Sequence, residues 1–296
     1  MKSNGKIIKS TGGLYSVENV DGKVYDCRAK GAFRREKITP LTGDNVEFDI
    51  VDDESGFITD ILPRKNSLIR PSVANIDLLV LVIASSSPDP DLFILDKLTA
   101  IAHFNGIDVL LVINKCDLKG ADEIERIYLR SGIDTVCISA KNADGYADKL
   151  EAIRKKTKGK TCFFSGASGV GKTSLLNALY PSLSLTTGEI SRKISRGKHT
   201  TRVTELFRMG ENTYIGDTPG FSMVDVSGFN LLTLEGLLWS FPDIEKYARG
   251  CRYTDCTHVC EDGCGVMEAI ERGEVEKTRH DSFVKLYREL KAAKKY

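Results

Sequence analysis

Eight consecutive residues, Gly166-Ala167-Ser168-Gly169-Val170-Gly171-Lys172-Thr173, have the types and spacing to hold a polyphosphate. Glycines let a backbone curl until its N–H groups converge on phosphate oxygens. A lysine then neutralises the β and γ phosphates, and a neighbouring hydroxyl reaches a Mg²⁺ ion. Lys172 and Thr173 stand in those places, with Ser174 next in the chain. The flanks agree, since the apolar run TCFFS precedes the loop and the helix-like SLLNAL follows it. A helix starting there adds its positive dipole end to the phosphate site.

A phosphate loop does not choose a base. Asn114-Lys115-Cys116-Asp117 directly follows the apolar run IDVLLVI, and its N-K-x-D pattern fits guanine. The Asp117 carboxylate can accept from guanine N1–H and the 2-amino group together, a donor pair that adenine lacks. Asn114 and the stem of Lys115 hold the loop and cover the base. Ser139-Ala140-Lys141, at another strand end, resembles a second base-contacting loop, with the Ala140 N–H facing guanine O6. Asp217-Thr218-Pro219-Gly220 resembles the D-x-x-G turn, in which the aspartate holds Mg²⁺ through water and the glycine N–H senses the γ phosphate. In Arg196-Gly197-Lys198-His199-Thr200-Thr201-Arg202, a threonine is expected to complete the Mg²⁺ shell. Thr201 is the first choice and Thr200 the second, so the ion is expected on Thr173, Thr201 and Asp217.

After Gly220, where many GTPases place a glutamine, comes Phe221, which cannot orient water. The catalytic set read from the sequence is therefore Lys172, Thr201 and His199, with His199 or a group from a partner positioning the water and unaided turnover slow. A solvated loop histidine is the alternative for His199. The motifs follow one another as base motif at Asn114, second base loop at Ser139, phosphate loop at Gly166, threonine at Thr201 and aspartate at Asp217. Ordinary GTPases begin with the phosphate loop, so the order here is circularly permuted. A parallel sheet tolerates this because the original chain ends lie close together and each motif keeps its strand end. Chain leaving Asp217 then runs straight into the C-terminal segment, which a nucleotide-dependent movement can reach.

A second chemistry lies near the C-terminus. Cys251, Cys256, His258 and Cys264 give three thiolates and an imidazole in a short loop, the ligand number of a closed structural Zn²⁺ site, although a four-cysteine set using Cys260 is chemically possible. The density argues for metal rather than a disulfide framework. Cys27, Cys116, Cys137 and Cys162 are scattered singly and read as reduced, buried thiols. Two local basic stretches stand against a net charge of +1. One carries Lys23, Arg28, Lys30, Arg34, Arg35 and Lys37 around Phe33; the other runs from Arg192 to Arg202 without an acid. Cations beside an aromatic suit RNA phosphate contact with base stacking, against the alternative of solvated surface.

These residues need elements to place them. Up to about Asn66 the runs KIIKS, GLYSVENV, KVYDCRA, NVEFDIV and GFITDIL, split by turn residues, predict five strands and a small β-barrel. Pro63 to Pro71 reads as a linker. Apolar runs then alternate with helix-like segments, the texture of a parallel sheet covered on both faces, ending in the hairpin-like VTELFRM and NTYIG at about Asp225. From Val226 onward the chain reads as a separate piece with helices near Met267 to Arg272 and Ser282 to Ala293. In the latter, Phe283, Leu286, Tyr287 and Leu290 share a face for packing. At 296 residues and 41% hydrophobic content, two or three domains are expected. No run approaches the ~18 apolar residues of a membrane span, and MKSNGKIIKS lacks a signal peptide's apolar core, so a cytoplasmic protein is expected.

Taken together, GAFRREK, GDNVEF, LPRKNSLIRP, NKCDL, SGASGVGKTSLLNAL, RGKHTT, DTPGF and CRYTDCTHVCEDGCGV resemble the RsgA family of circularly permuted GTPases over essentially the full chain. The resemblance implies an α/β fold with an N-terminal OB-fold β-barrel (1–66), a permuted P-loop GTPase core (67–225) and a small, mostly helical zinc-binding domain (226–296). It implies GTP hydrolysis stimulated by the small ribosomal subunit late in its maturation, contact with ribosomal RNA, Mg²⁺ with GTP or GDP, and action as a monomer. It also favours His258 over Cys260 as the fourth zinc ligand. Cys260 is the departure from the family pattern that bears on that choice.

Overall fold

Alternation of apolar and polar residues in the first sixty positions builds strands with one buried face. They are β1 (Lys2–Thr11), β2 (Leu14–Asn19), β3 (Val24–Ala29), β4 (Asn45–Ile50) and β5 (Ser55–Ile61), closed in the order β1-β2-β3-β5-β4. Ile7, Val17, Tyr25, Cys27, Val46, Phe48 and Ile58 fill the interior. All pairings are antiparallel except β3 with β5. The computed structural model describes residues 1–31, 33, 38–68, 71–183, 204–217 and 231–294.

The stretch read as a linker is tied to the barrel instead. A short ribbon, β6 (Ser67–Leu68) with β7 (Val73–Ala74), bonds the barrel through Ala74 N–H to Thr42 O at 2.9 Å. The Asn75 amide donates to Gly43 O at 3.1 Å. Polar side chains satisfy backbone groups along this crossing, a feature that proline spacing does not reveal.

The core sheet has the order β10 (Asp134–Cys137), β9 (Asp108–Asn114), β8 (Leu78–Ala84), β11 (Thr161–Ser165), β13 (Thr213–Asp217), β12 (Leu206–Gly210). Five strands are parallel, and β12 joins β13 as an antiparallel edge hairpin. Because side chains alternate along a strand, one sheet face offers Leu79, Leu81, Leu111, Ile113 and Phe163, the other Val80, Val82, Leu110, Val112 and Phe164. Helices α1 (Leu92–Phe104) and α2 (Asp122–Arg130) cover the first face, α3 (Ala147–Thr157) and α4 (Lys172–Leu179) the second.

Beyond residue 231 come α5 (Pro242–Ala248), α6 (Gly265–Glu271) and α7 (Lys277–Ala293). Phe283, Leu286 and Leu290 of α7 share one apolar cluster with Leu95, Leu98 and Ala102 of α1, while Tyr287 packs at its edge. This part therefore does not have the separate core that the change of texture near Val226 suggests. At the seam lies Arg279, fully buried, donating to Asp96 of α1 at 2.8 Å and, through two further nitrogens, to Asp243 of α5 at 3.1 and 3.0 Å. The Tyr128 hydroxyl donates to the same Asp96 oxygen at 2.8 Å. Burial raises the Asp96 pKa more than the Arg279 guanidinium lowers it.

Candidate functional site

Both base loops and the phosphate loop lie at the C-terminal ends of β9, β10 and β11. The buried Asn114 amide joins them: Asn114 Nδ2 donates to Val170 O at 2.9 Å, and Ala140 N–H donates to Asn114 Oδ1 at 2.9 Å. One side chain thus sets the distance between the phosphate loop and the two loops expected around a base. Lys115 has φ of 64°, a left-handed conformation, and its carbonyl accepts from Ser85 Oγ at 2.8 Å. Its ammonium group contacts Ser87 O. Cys116 N–H donates to Ile138 O at 3.0 Å, closing the base motif onto the end of β10. Asp117 is exposed. Ser139 is buried and accepts from Asn142 N–H at 3.4 Å; Ala140 is half-buried and Lys141 exposed.

The phosphate loop leaves β11 with close backbone approaches that only glycine permits. A Cβ at Gly166 would lie 2.1 Å from Val82 O, and one at Gly171, whose φ is 92°, would lie 2.3 Å from Asn114 Nδ2. Gly171 caps α4, so the N–H groups of the first turn open toward the loop. Lys172 Nζ donates to Gly166 O at 2.8 Å, which holds the cation across the loop. Thr173 is half-buried on that first turn and Ser174 is exposed; Ala167, Ser168 and Gly169 are exposed and Val170 is buried. β13 pairs with β11 so that Asp217 is level with Phe164, which brings the backbone of the expected Mg²⁺ aspartate to the strand beside the phosphate loop. His199, Thr200 and Thr201, the basic stretch Arg192 to Arg202, and Thr218, Pro219, Gly220 and Phe221 lie outside the described residues.

The cysteine cluster is assembled. Ligand atoms of Cys251, Cys256, His258 and Cys264 all lie within 4.8 Å of one another, a set that can hold a metal ion. Cys251 Sγ is 3.3 Å from His258 Nδ1, and Cys264 Sγ is 3.8 Å from it. Cys260 is exposed and outside the set. Burial lowers the His258 pKa, which favours the neutral imidazole that a metal requires. Two residues that spacing did not single out organise this loop. Glu261 accepts from the backbone N–H groups of Thr257, Val259 and Cys260 at 2.9, 3.0 and 3.1 Å. Burial opposes its charge, but the Thr257 hydroxyl and the backbone donors outweigh it and bring its pKa down to about 2. His280 of α7 meets the His258 carbonyl at 2.7 Å through Nε2.

On the barrel, Lys23, Arg28 and Lys30 are exposed, while Arg34, Arg35 and Lys37 lie outside the described residues. Phe33, expected as the stacking aromatic, is buried among the barrel's apolar residues. The exposed aromatic is Phe57 of β5, aligned across the parallel pair with Arg28. Pairing between strands that a β4 excursion separates in sequence is not visible in local spacing, which explains the missed residue. No helix among the described residues is long and apolar enough to cross a membrane.

Comparison with known proteins accords with this geometry. The RsgA GTPase family profile matches residues 61–227, and the RsgA N-terminal domain profile matches residues 4–58. Small ribosomal subunit biogenesis GTPase RsgA of Alkaliphilus metalliredigens is 40% identical over 99% of this chain and 100% of its own. The protein of that name from Geobacillus kaustophilus is 39% identical over 99% of both. Among solved structures, YjeQ from Thermotoga maritima superposes with a TM-score of 0.79 at 33% identity, covering 98% of this chain and 99% of that one. YloQ, described as a circularly permuted GTPase, gives 0.77 at 33% identity over 99% of this chain and 96% of its own. With its motifs in shuffled order on one parallel sheet and this likeness along its whole length, the chain belongs to the RsgA family of GTPases.

Proposed function

We propose that this protein hydrolyses GTP during late maturation of the small ribosomal subunit, binding ribosomal RNA and being activated by the subunit. The observation that carries the nucleotide reading is the Asn114 amide, bonded at once to the phosphate loop and the second base loop. Asp117 accepts from the guanine edge, the Ser139-Ala140-Lys141 loop flanks O6, and Lys115 covers the base. Gly166 through Ser174 wrap the phosphates, with Lys172 neutralising charge that builds up on them during transfer. Magnesium, when bound, screens the β and γ phosphates. Thr173, Thr201 and Asp217 are the residues to hold it, and Gly220 reads the γ phosphate. His199, or a group from the subunit, positions the water, because Phe221 cannot.

In this reading residues 1–66 form the RNA-binding OB barrel, 67–225 the GTPase core and 226–296 the zinc-binding part. Exposed Arg28 and Phe57 together support RNA contact, a cation beside a stacking surface. Zinc on Cys251, Cys256, His258 and Cys264 supplies a four-way cross-link to a loop with few apolar residues. The protein works as a cytoplasmic monomer. Measuring GTP turnover with and without purified small subunits tests the proposal: subunits should accelerate hydrolysis severalfold at least, and turnover unmoved by them would refute it. The presence of Phe221 favours a second reading, a GTP-gated binding module, for which hydrolysis would stay negligible with every partner present.

A further inference from the structure

Two cysteines stand in the base-recognition loops themselves: Cys116 inside the N-K-x-D motif and Cys137 two positions before Ser139. The topology brings them together. β9 and β10 run parallel with Cys137 level with Ile113, and the chain after β9 turns so that Cys116 N–H bonds Ile138 O at 3.0 Å. Cys116 Sγ lies 3.3 Å from the carbonyl of Ile113, the residue level with Cys137 on the neighbouring strand, and both cysteines pack into one apolar cluster. Cys116 is half-buried and Cys137 is buried.

The pair is chemically unequal. The Cys137 thiol, the Ile138 N–H and the Lys149 charge lower the Cys116 pKa, against the effect of burial. The same thiol contact, burial and Glu125 raise that of Cys137. A thiol that is more acidic and reachable, with a second thiol packed in the same cluster, has the form of a reactive cysteine and its resolving partner.

We propose that Cys116 and Cys137 are a peroxide-sensitive thiol pair whose oxidation to a disulfide weakens guanine binding. The Cys116 thiolate sulfur attacks one oxygen of hydrogen peroxide; the O–O bond breaks, hydroxide leaves and a sulfenic acid forms. Cys137 gives its proton to that hydroxide, and its sulfur attacks the sulfenic sulfur. The S–S bond forms as the S–O bond breaks, and the departing hydroxide takes up the proton that Cys116 released. Two thiols are thereby oxidised and one peroxide becomes two waters.

Closing the bond draws the sulfurs to about 2 Å and pulls Cys116 off the Ile113 carbonyl. Asp117 is the next residue, and it must align with two donors at once. Displacing it by a fraction of an ångström loses the paired contact, a loss of about tenfold or more in affinity. The effect rests on the guanine reading of this site, so affinity for GDP is measured first on the reduced protein. If reduced protein fails to bind GDP, that reading falls while the thiol chemistry remains testable.

The test uses the full, zinc-loaded chain, treated with hydrogen peroxide and then returned to thiol reductant. Tryptic mass spectrometry should show the peptide from Cys116 to Lys119 joined to that from Ser131 to Lys141. GDP affinity should fall about tenfold and recover on reduction. Cys137→Ser, with Cys137→Ala as a second variant in case the first folds poorly, leaves the zinc cluster untouched and should abolish both the joined peptide and the reversible loss. Absence of the joined peptide in the parent would overturn the proposal. So would an equal loss of affinity in the Cys137 variants, which would move the effect to the zinc thiolates.

Discussion

Replacing Asn114 by alanine removes the one side chain that spans the phosphate and base loops. Its amide gives one bond to Val170 O and takes one from Ala140 N–H, each 2.9 Å, at a position only 3% exposed. Truncation strands a buried carbonyl, costing about 1–3 kcal/mol, and a half-buried N–H, costing less. Water entering the vacated space recovers part of this, which leaves about 2–4 kcal/mol for the pair. Without nucleotide the two loops can relax apart, so most of the cost falls on the bound state. At 1.4 kcal/mol per tenfold, Kd for GDP should rise by about 30- to 1,000-fold. Calorimetric titration with GDP, GTP and xanthosine diphosphate reads the effect. All three should weaken together, because a spacer has been lost rather than a specificity contact. Asp117→Asn is the contrast: its amide donates toward the carbonyl that xanthine carries where guanine has its amino group, so GDP should weaken and the xanthosine nucleotide tighten. An Asn114→Ala protein binding GDP within about threefold of the parent would refute the assignment of the amide as the bridge.

Gly171→Ala should cost nucleotide affinity on a similar scale, since its Cβ would fall 2.3 Å from Asn114 Nδ2 at a φ of 92°; unchanged GDP titration would contradict it. Cys260→Ser should leave one zinc per chain by atomic absorption and Cys264→Ser should not, the reverse result placing Cys260 in the ligand set. Glu261→Ala frees three backbone N–H groups of the metal loop, so zinc transfer to a chelating dye should accelerate about 10- to 100-fold, and an unaltered rate would count against this role. Arg279→Leu leaves Asp96 and Asp243 buried without their cation and should cost about 3–5 kcal/mol in urea denaturation. The sign of its pH dependence follows from Asp96, whose raised pKa in the folded protein means that the folded state binds the proton more readily than the unfolded one. Stability from this group is present at low pH and lost as pH rises through the raised value, so the variant should regain stability on going from about pH 7 to 5. A variant that instead loses stability over that interval would disprove the linkage.

What could be read from the sequence divides along a physical line. Short-range patterns carried the phosphate loop and N-K-x-D, because each is a single turn whose glycines and polar side chains serve one strand end. Strand and helix texture carried the parallel sheet for the same reason: β9 and β11 are apolar on both faces and bounded by turn residues. Contacts between distant segments did not show. The basic stretch around Phe33 suggests an aromatic beside cations, yet Phe33 packs in the barrel core, while Phe57 stands outside beside Arg28 through a parallel pairing that skips β4. Nothing in the local sequence marks Arg279, and only packing against Asp96 and Asp243 reveals a buried ion cluster. Glu261 falls between His258 and Cys264, but nothing in its spacing says that three N–H groups will converge on it.

Those distant contacts give the permutation its consequence. In an unpermuted order, the ends of the core would be free. Here the chain enters the core along β6 and β7, tied to the barrel at Thr42 and Gly43, and passes directly to β8. On the other side, the stretch expected to hold the Mg²⁺ threonine ends at Thr204, whose carbonyl accepts from the Thr42 hydroxyl at 3.3 Å, and Glu205 pairs with Lys9 at 3.0 Å. Arg208 of β12 reaches Glu18 of the barrel. The segment after Asp217 re-enters at Leu231 and Leu232, inside the cluster that also holds Phe283 and Leu286 of α7. In the chain, the first stretch therefore runs between α4 and a seam with the barrel, and the second between β13 and the cluster that holds α7. A change at the γ phosphate that moves either stretch has to do work on a packed neighbour, because cores and hydrogen-bonded seams shift between discrete arrangements rather than deform smoothly. A permuted order supplies one covalent link that an ordinary order does not: the chain after Asp217 continues to the cluster that holds α7, while the barrel is reached across the Thr42–Thr204 contact.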